Sequence, residues 1–313
     1  MTVQQKLRVA LLAGGKSGER DVSLKGAEGV IKALDLTKYD VRRYDPATDM
    51  AKLATEASQI DVVFILLHGL FGEDGTVQGF LDLLNLPYQG SGVLGSALAM
   101  DKDSAKTLYK VRGLPVPDWA MVAINDAENP GPLVERLGLP LVVKPVRQGS
   151  SLGMSIAHSV EELAAGIRLA FDYDSEVMVE RFVKGREITV GVIGNNELTP
   201  LPLVEIIPGS EHPFFDYQAK YQPGATTEIC PADFPEAIVQ KAHEYAITAH
   251  RALKLRGYSR TDMIVDKDNN LWVLETNTIP GMTPTSLLPQ AAAAAGLPFN
   301  KLLDRLIDLA MEP

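Results

Sequence analysis

Glu275, Thr276 and Asn277 are consecutive near the carboxyl end of the chain, and Asp262 lies a short way upstream. Residues 262–266 and 271–275 read as paired strands joined by the polar turn Lys267-Asp268-Asn269-Asn270. Side chains alternate along a strand, so positions 275 and 277 project to one face, and Asp262 can bring a third oxygen to it. An Asp, Glu and Asn set is hard-oxygen chemistry, suited to Mg2+ carrying nucleotide phosphates and unsuited to zinc. A solvated sheet edge has the same spacing, so the pattern alone leaves both readings open. Arg260 shares the alternation of Asp262: it can clamp charge developing on oxygen or simply neutralise the carboxylates.

Lys144 sits in the apolar run Leu141-Val142-Val143-Lys144-Pro145, where an ammonium must reach solvent or an anion. The loop Gln148-Gly149-Ser150-Ser151-Leu152-Gly153 follows at once. Backbone amides of a glycine-rich loop with a lysine beneath suit phosphates, although this is neither a P-loop nor a dinucleotide fingerprint and a flexible hairpin tip would look alike. After the carboxylates, Thr278-Ile279-Pro280-Gly281-Met282-Thr283 forms a rigid turn ending near Ser286, an expected helix N-cap.

Gly14-Gly15-Lys16-Ser17-Gly18-Glu19-Arg20 follows the first strand, at the sheet edge where open α/β folds place ligands. Lys16-Ser17 lacks the upstream glycine spacing of a P-loop. Glu19 can hold a cationic group, Ser23 can cap the next helix, and His68-Gly69 ends another strand nearby. Lys220 and Tyr221 lie in a long Pro-, Gly- and aromatic-rich segment, 208–230, of the kind used as a lid. Cys230 reads as inert, the remaining histidines lack metal-ligand spacing, and Trp119 and Trp272 read as packing residues.

These groups must be positioned by regular elements. Strands are expected at 7–13, 41–44 and 62–67, the last central and covered on both faces, with helices at 23–34 and 75–84: a βαβ rhythm with short loops. A single helix over 97–111 carries Lys102 and Lys106. Strands at 119–124, 141–145, 153–157 and 177–182 then alternate with helices at 133–137 and 160–171. Further strands at 187–193 and 201–207 precede a long helix over 234–255, and helices at 286–295 and 299–310 close the chain. The fold class is α/β and α+β.

Composition bounds the whole. The 313 residues are 46% hydrophobic, ample for a buried core. A formal charge of -10 disfavours a nucleic-acid or anionic-membrane partner while permitting a local basic pocket. No apolar run reaches membrane-span length, no signal-peptide pattern precedes the first strand, and one cysteine excludes an internal disulfide. A cytoplasmic protein is the expectation.

In order along the chain, Glu19-Arg20-Asp21-Val22-Ser23, His68-Gly69, Glu73-Asp74-Gly75, Lys144-Pro145, Gly149-Ser150-Ser151, Lys220-Tyr221, Arg260-Thr261-Asp262, Glu275-Thr276-Asn277-Thr278 and Pro280-Gly281-Met282-Thr283 resemble the D-alanine–D-alanine ligase family. The resemblance covers nearly the whole chain. It implies an N-terminal doubly wound-like α/β domain followed by a two-domain ATP-grasp fold, with divisions at 1–97, 98–185 and 186–313. It also implies ligation of two D-alanines through a D-alanyl phosphate, with ATP and two Mg2+ (or Mn2+), an activating monovalent cation such as K+, and a homodimer.

By the same resemblance, Lys102 and Lys144 contact ATP phosphates under the loop containing Ser150 and Ser151, with Lys220 on the lid. Glu180 and Glu187 face the adenosine end, flanking the crossover Arg181-Phe182-Val183. Asp262, Glu275 and Asn277 hold the metals. Glu19 fixes the ammonium of the first D-alanine in a hydrogen-bonded group with Ser150 and Tyr221, and His68 lies near it. Arg260 and the Gly281 amide stabilise the oxyanion, while Ser286 and Leu287 bind the second carboxylate. Gln148 stands where family members often carry glutamate, and Lys16 and Gly18 depart from their smaller or less flexible loop residues. Tyr221 favours dipeptide over the ester made by D-lactate relatives. Ligases using D-lactate or D-serine, and a silent nucleotide-binding protein, are the competing readings.

Overall fold

The computed structural model describes residues 5–209 and 226–312. Lys220 and Tyr221 lie outside them. The first sheet is parallel and contains β1 (Leu7–Leu12), β2 (Tyr39–Tyr44) and β3 (Val62–Ile65) in the order β2-β1-β3. Its side chains divide by strand alternation. Val9, Leu11, Val62 and Phe64 pack with Ala27 and Val30 of α1 (Arg20–Ala33), whereas Ala10, Leu12, Val63 and Ile65 pack with Leu53, Val77 and Leu81. The last two come from α3 (Thr76–Leu83), and Leu53 from α2 (Met50–Glu56), a helix that sequence reading misses.

The central strand is β1, not β3. β3 tolerates the edge because the chain at Pro87–Gln89 covers it: Val63 donates to the Pro87 carbonyl, and the Gln89 amide both accepts from Ile65 N and donates to Ile65 O at 2.7 Å. Polar backbone that would otherwise be buried unpaired is thereby satisfied.

The expected helix over 97–111 is two, α4 (Val93–Met100) and α5 (Lys102–Val111). Asp101 leaves helical geometry and its carboxylate accepts from Ser104 N at 2.9 Å, so it caps the second helix. A four-stranded antiparallel sheet follows, β4-β7-β5-β6, from β4 (Trp119–Val122), β5 (Leu141–Pro145), β6 (Ser155–Ala157) and β7 (Val177–Arg181). β5 and β6 form the expected hairpin around the Ser150 loop. Helices α6 (Gly131–Leu137) and α7 (Val160–Phe171) pack on this sheet.

The third sheet has the order β11-β10-β8-β12-β13, from β8 (Gly185–Ile193), β10 (Val204–Pro208), β11 (Thr226–Ile229), β12 (Tyr258–Asp266) and β13 (Leu271–Asn277), with the short β9 (Thr199–Pro200) on β8. Helix α8 (Glu236–Ala252) covers one face and shares its core with Ala105 and Tyr109 of α5. The closing helices are α9 (Leu287–Ala294) and α10 (Phe299–Met311). Leu302, Leu303 and Leu306 of α10 return to the core of the first sheet, beside α1. The two ends of the chain are therefore locked into one packed unit.

Candidate active site

A cavity of about 910 Å³ opens between the four-stranded and six-stranded sheets. One part is apolar, with Val142, Ile156, Phe182, Ile207 and Leu274 on its walls; Lys102, Ser150, Ser151, Asp262 and Glu275 line another. The crossover Arg181-Phe182-Val183 and Glu187 border the same cavity. Arg181 lies 5.1 Å over the Trp272 ring, so that tryptophan, read from sequence as packing alone, also orients the crossover.

The register of β12 and β13 sets the carboxylate cluster. Asp262 opposes Glu275 and Arg260 opposes Asn277, so all four side chains share one face. The Arg260 guanidinium grips Asp262 with two bonds of 2.9 and 2.8 Å; Thr189 Oγ1 donates to Asp262 Oδ1 at 2.6 Å, and Asn277 Nδ2 to Oδ2 at 3.2 Å. On the opposite face the Tyr109 hydroxyl donates to Thr276 Oγ1 at 2.7 Å, which meets Thr261 Oγ1 at 3.0 Å, pinning the two strands from behind. The donor set toward the cavity is all oxygen and fits a hard divalent cation.

Lys144 meets an anion of the protein itself. Val142 and Glu180 are opposed across β5 and β7, which puts Lys144 Nζ 2.9 Å from Glu180 Oε1. The other carboxylate oxygen bonds Lys106 Nζ, a wholly buried side chain from α5 that sequence reading leaves as an ordinary helical residue. Burial pushes the Glu180 carboxyl upward, but Lys144 and Lys106 outweigh it and hold it below the usual range. Burial likewise draws Lys106 down to about 8, opposed by Glu180. Lys102 Nζ donates to the Gln148 carbonyl at 2.6 Å and stands 4.0 Å from Glu275, joining the Ser150 loop to the carboxylates.

Beyond the Ser150 loop, the buried Glu19 is the N-cap residue of α1, and its carboxylate accepts from the Ser150 hydroxyl. Ser150 and Ser151 hold left-handed backbone angles, φ 49° and 58°, a strain that L residues keep only where neighbours impose it. A side chain on Gly69 or Gly149 would come within 3.1 Å of Glu19 Oε2, so both loops close directly on that carboxylate. Ser23 caps nothing: α1 starts earlier, and the Ser23 hydroxyl instead accepts from Gly14 N at 2.8 Å and donates to the Leu66 carbonyl. Asp45 accepts from Gly15 N at 2.9 Å, and the Arg20 guanidinium holds its carboxyl down to about 2.

His68 lies close enough to Glu19 and Arg260 to feel both, and burial is the larger influence, lowering its pKa. Glu73 precedes Asp74-Gly75 in the loop after β3. Its two oxygens accept from Gly69 N at 2.8 Å and Ile279 N at 3.3 Å, tying the His68 loop to the Gly281 turn. Burial, with Glu19 nearby, pushes its carboxyl up to about 8. Ser286 occupies the N-cap position of α9, yet its hydroxyl is taken by Thr283, at 3.1 Å to N and 2.8 Å to Oγ1, rather than by the helix. The Ser286 side chain lies against Gly281, and Leu287 opens the helix.

Two family descriptions match the chain: "D-ala D-ala ligase N-terminus" over residues 44–91 and "D-ala D-ala ligase C-terminus" over residues 108–308. The D-alanine–D-alanine ligase of Desulfotalea psychrophila is 60% identical over 309 residues, covering 98% of this chain and 96% of the relative. The crystal structure of D-alanine–D-alanine ligase from Bacillus anthracis complexed with ATP superposes with a TM-score of 0.85 at 35% identity, covering 97% of each chain. The VanG D-Ala:D-Ser ligase from Enterococcus faecalis also gives 0.85, at 33% identity, covering 98% of this chain and 100% of that one.

Proposed function

The chain belongs to the D-alanine–D-alanine ligase family of the ATP-grasp superfamily, and from that premise we propose the residues that carry its reaction. The protein is an ATP-dependent ligase that joins D-alanine to D-alanine, giving the dipeptide used in peptidoglycan synthesis and cell wall biogenesis. The observation that carries the assignment of roles is one cavity lined by Lys144, Glu180, Asp262, Glu275 and Ser150, with Asn277 bonded to Asp262 and Glu19 bonded to Ser150.

In this reading ATP lies between the two antiparallel sheets. The base enters the apolar part against Phe182 and Val183, Glu180 and Glu187 face the adenosine, and the phosphates run toward Lys102, Lys144, Ser150 and Ser151. By the family resemblance Lys220 serves nucleotide binding and Tyr221 serves catalysis. Asp262, Glu275 and Asn277 would hold two Mg2+, or Mn2+ in their place; bound there, they would offset charge on the phosphoryl oxygens. Glu19 accepts from the ammonium of the first D-alanine, and His68 lies beside it.

The first D-alanine carboxylate attacks the γ-phosphorus, the bond to ADP breaks, and a D-alanyl phosphate forms. This activation is needed because oxide is a poor leaving group from a carboxylate. The amine of the second D-alanine, its carboxylate at Ser286 and Leu287, attacks the carbonyl carbon. Arg260 and the Gly281 N–H stabilise the oxyanion. Phosphate then leaves, carrying its electron pair, as the amine loses its proton. Closure protects the acyl phosphate from water.

The domain divisions 1–97, 98–185 and 186–313 follow from this reading, with α5 and α10 packing across them. Among the described residues no helix is long and apolar enough to cross a membrane. We place the reaction in the cytoplasm, in a homodimer activated by a monovalent cation such as K+; the family resemblance supports these three. Product identification after incubation with ATP, Mg2+ and D-alanine tests the assignment. The expected result is D-alanyl-D-alanine with one ADP and one phosphate per dipeptide. A preparation that makes a mixed product only when D-serine or D-lactate is added would overturn the second-substrate assignment.

A further inference from the structure

Lys106 is wholly buried, charged, and outside the catalytic scheme above. It lies one helical turn after Lys102 on α5, so the two lysines rise from one helix face toward different parts of the nucleotide cavity. Lys102 reaches the Ser150 loop and Glu275, while Lys106 reaches the far oxygen of Glu180. The Trp119 ring covers Lys106 from the other side at 5.0 Å, and Asp103 accepts from Trp119 Nε1 at 2.6 Å, so the ammonium is held in place rather than merely sheltered.

The consequence concerns what Glu180 can recognise. Glu180 is 3% exposed and borders the cavity beside Phe182 and Val183. An ionised carboxylate only accepts hydrogen bonds, whereas a protonated one also donates. A carboxyl this deeply buried would gain a proton if it lost its cationic neighbours. Lys144 alone cannot guarantee the ionised form, because in our reading it also serves the nucleotide. Lys106 stands behind Glu180 rather than lining the cavity, its ammonium bonded to that carboxylate and packed against Trp119.

We propose that Lys106 is a positioning residue for base selectivity: by fixing Glu180 as an acceptor-only carboxylate, it makes the site select purines that present an exocyclic amine and reject those that present a carbonyl there. This rests on the reading that Glu180 faces the base. A 6-amino purine donates to the carboxylate; a 6-oxo purine sets oxygen against oxygen. Rejection of a mispaired polar edge is the stronger form of specificity, since it leaves a buried group unsatisfied.

The test compares ATP with ITP as the nucleotide for dipeptide synthesis, in the wild type and in Lys106→Met, Lys106→Arg and Glu180→Gln. The wild type should strongly prefer ATP. Lys106→Met should raise the KM for ATP by about tenfold and narrow the ATP-to-ITP preference by a similar factor, leaving the KM for D-alanine unchanged. Lys106→Arg, which keeps the charge, should restore most of the preference. Should Lys106→Met weaken ATP and ITP equally, or should its preference match the wild type, the selectivity role is overturned. Glu180→Gln separates the two layers: a preference unaltered in that variant sinks the placement of Glu180 at the base, whereas an altered preference there with none in Lys106→Met sinks only the role of Lys106. If Lys106→Met is insoluble, Lys106→Arg against Lys106→Gln gives the same comparison, charge kept against charge removed.

Discussion

The Ser150 hydroxyl donates to the Glu19 carboxylate, bonding the hairpin loop of the four-stranded sheet to the N-cap of the first helix. Each residue sits in a different part of the fold, and the bond exists only when those parts close on each other. In the reading proposed above, it also orients the Glu19 oxygen that accepts from the ammonium of the first D-alanine. Ser150→Ala should therefore raise the KM for D-alanine by roughly tenfold, with the KM for ATP nearly unchanged. Initial-rate kinetics with each substrate varied separately would check this, and equal losses on both substrates would refute it.

Glu275 opposes Asp262 across β12 and β13, stands 4.0 Å from Lys102 and lines the cavity. Its side chain is about one-third exposed at the cavity wall, so the variant removes a charge there without opening a hole in the packed core. Glu275→Gln should cut Mg2+-dependent turnover by at least about a hundredfold while leaving the melting temperature within a degree or two. Near-normal turnover in the variant would remove Glu275 from the metal set.

The oxygen cluster was legible because strand alternation is local: knowing that 271–277 is a strand is enough to put Glu275 and Asn277 on one face. The partner of Lys144 was not, because Glu180 reaches it through the register of β5 on β7, which no local pattern encodes. Lys106 was hidden for a related reason. Helical periodicity shows that it shares a face with Lys102, but not that this face is buried against a carboxylate. The break at Asp101 was missed because one capping residue between two helices leaves the apolar spacing nearly continuous. Amphipathicity announced the apolar face of α10, while its destination, the sheet at the opposite end of the chain, depends on the whole topology.

Glu73 links two segments that must stay in register, accepting from Gly69 N on one oxygen and Ile279 N on the other. Gly69 packs on Glu19, and Ile279 begins the turn that presents Gly281. Above pH 8, where the Glu73 carboxyl is ionised and both oxygens accept, a glutamine in its place has only one acceptor oxygen, and its NH2 would face a backbone N–H. Glu73→Gln should lower kcat about tenfold, with nucleotide affinity unchanged when measured in the absence of D-alanine. Loss of nucleotide binding in that measurement would point instead to general unfolding of the cleft.

His250 offers a prediction independent of catalysis. It lies on α8, 1% exposed, with Nδ1 2.8 Å from Ser259 Oγ on β12 and with Nε2 lacking a partner among the described residues. Burial lowers its pKa from the usual 6.5 to about 4, aided by Arg251 and opposed by a backbone contact to Leu255. Between those values the unfolded chain binds a proton that the folded protein refuses. Stability from this group is therefore fully present above pH 6.5 and is lost as pH falls through about 4, by roughly 3 kcal/mol in total. Urea unfolding across that window should show the loss in the wild type and a flatter profile in His250→Gln, whose amide can still reach Ser259 but does not titrate. Parallel profiles for the two proteins would show that His250 is not the group that acid attacks.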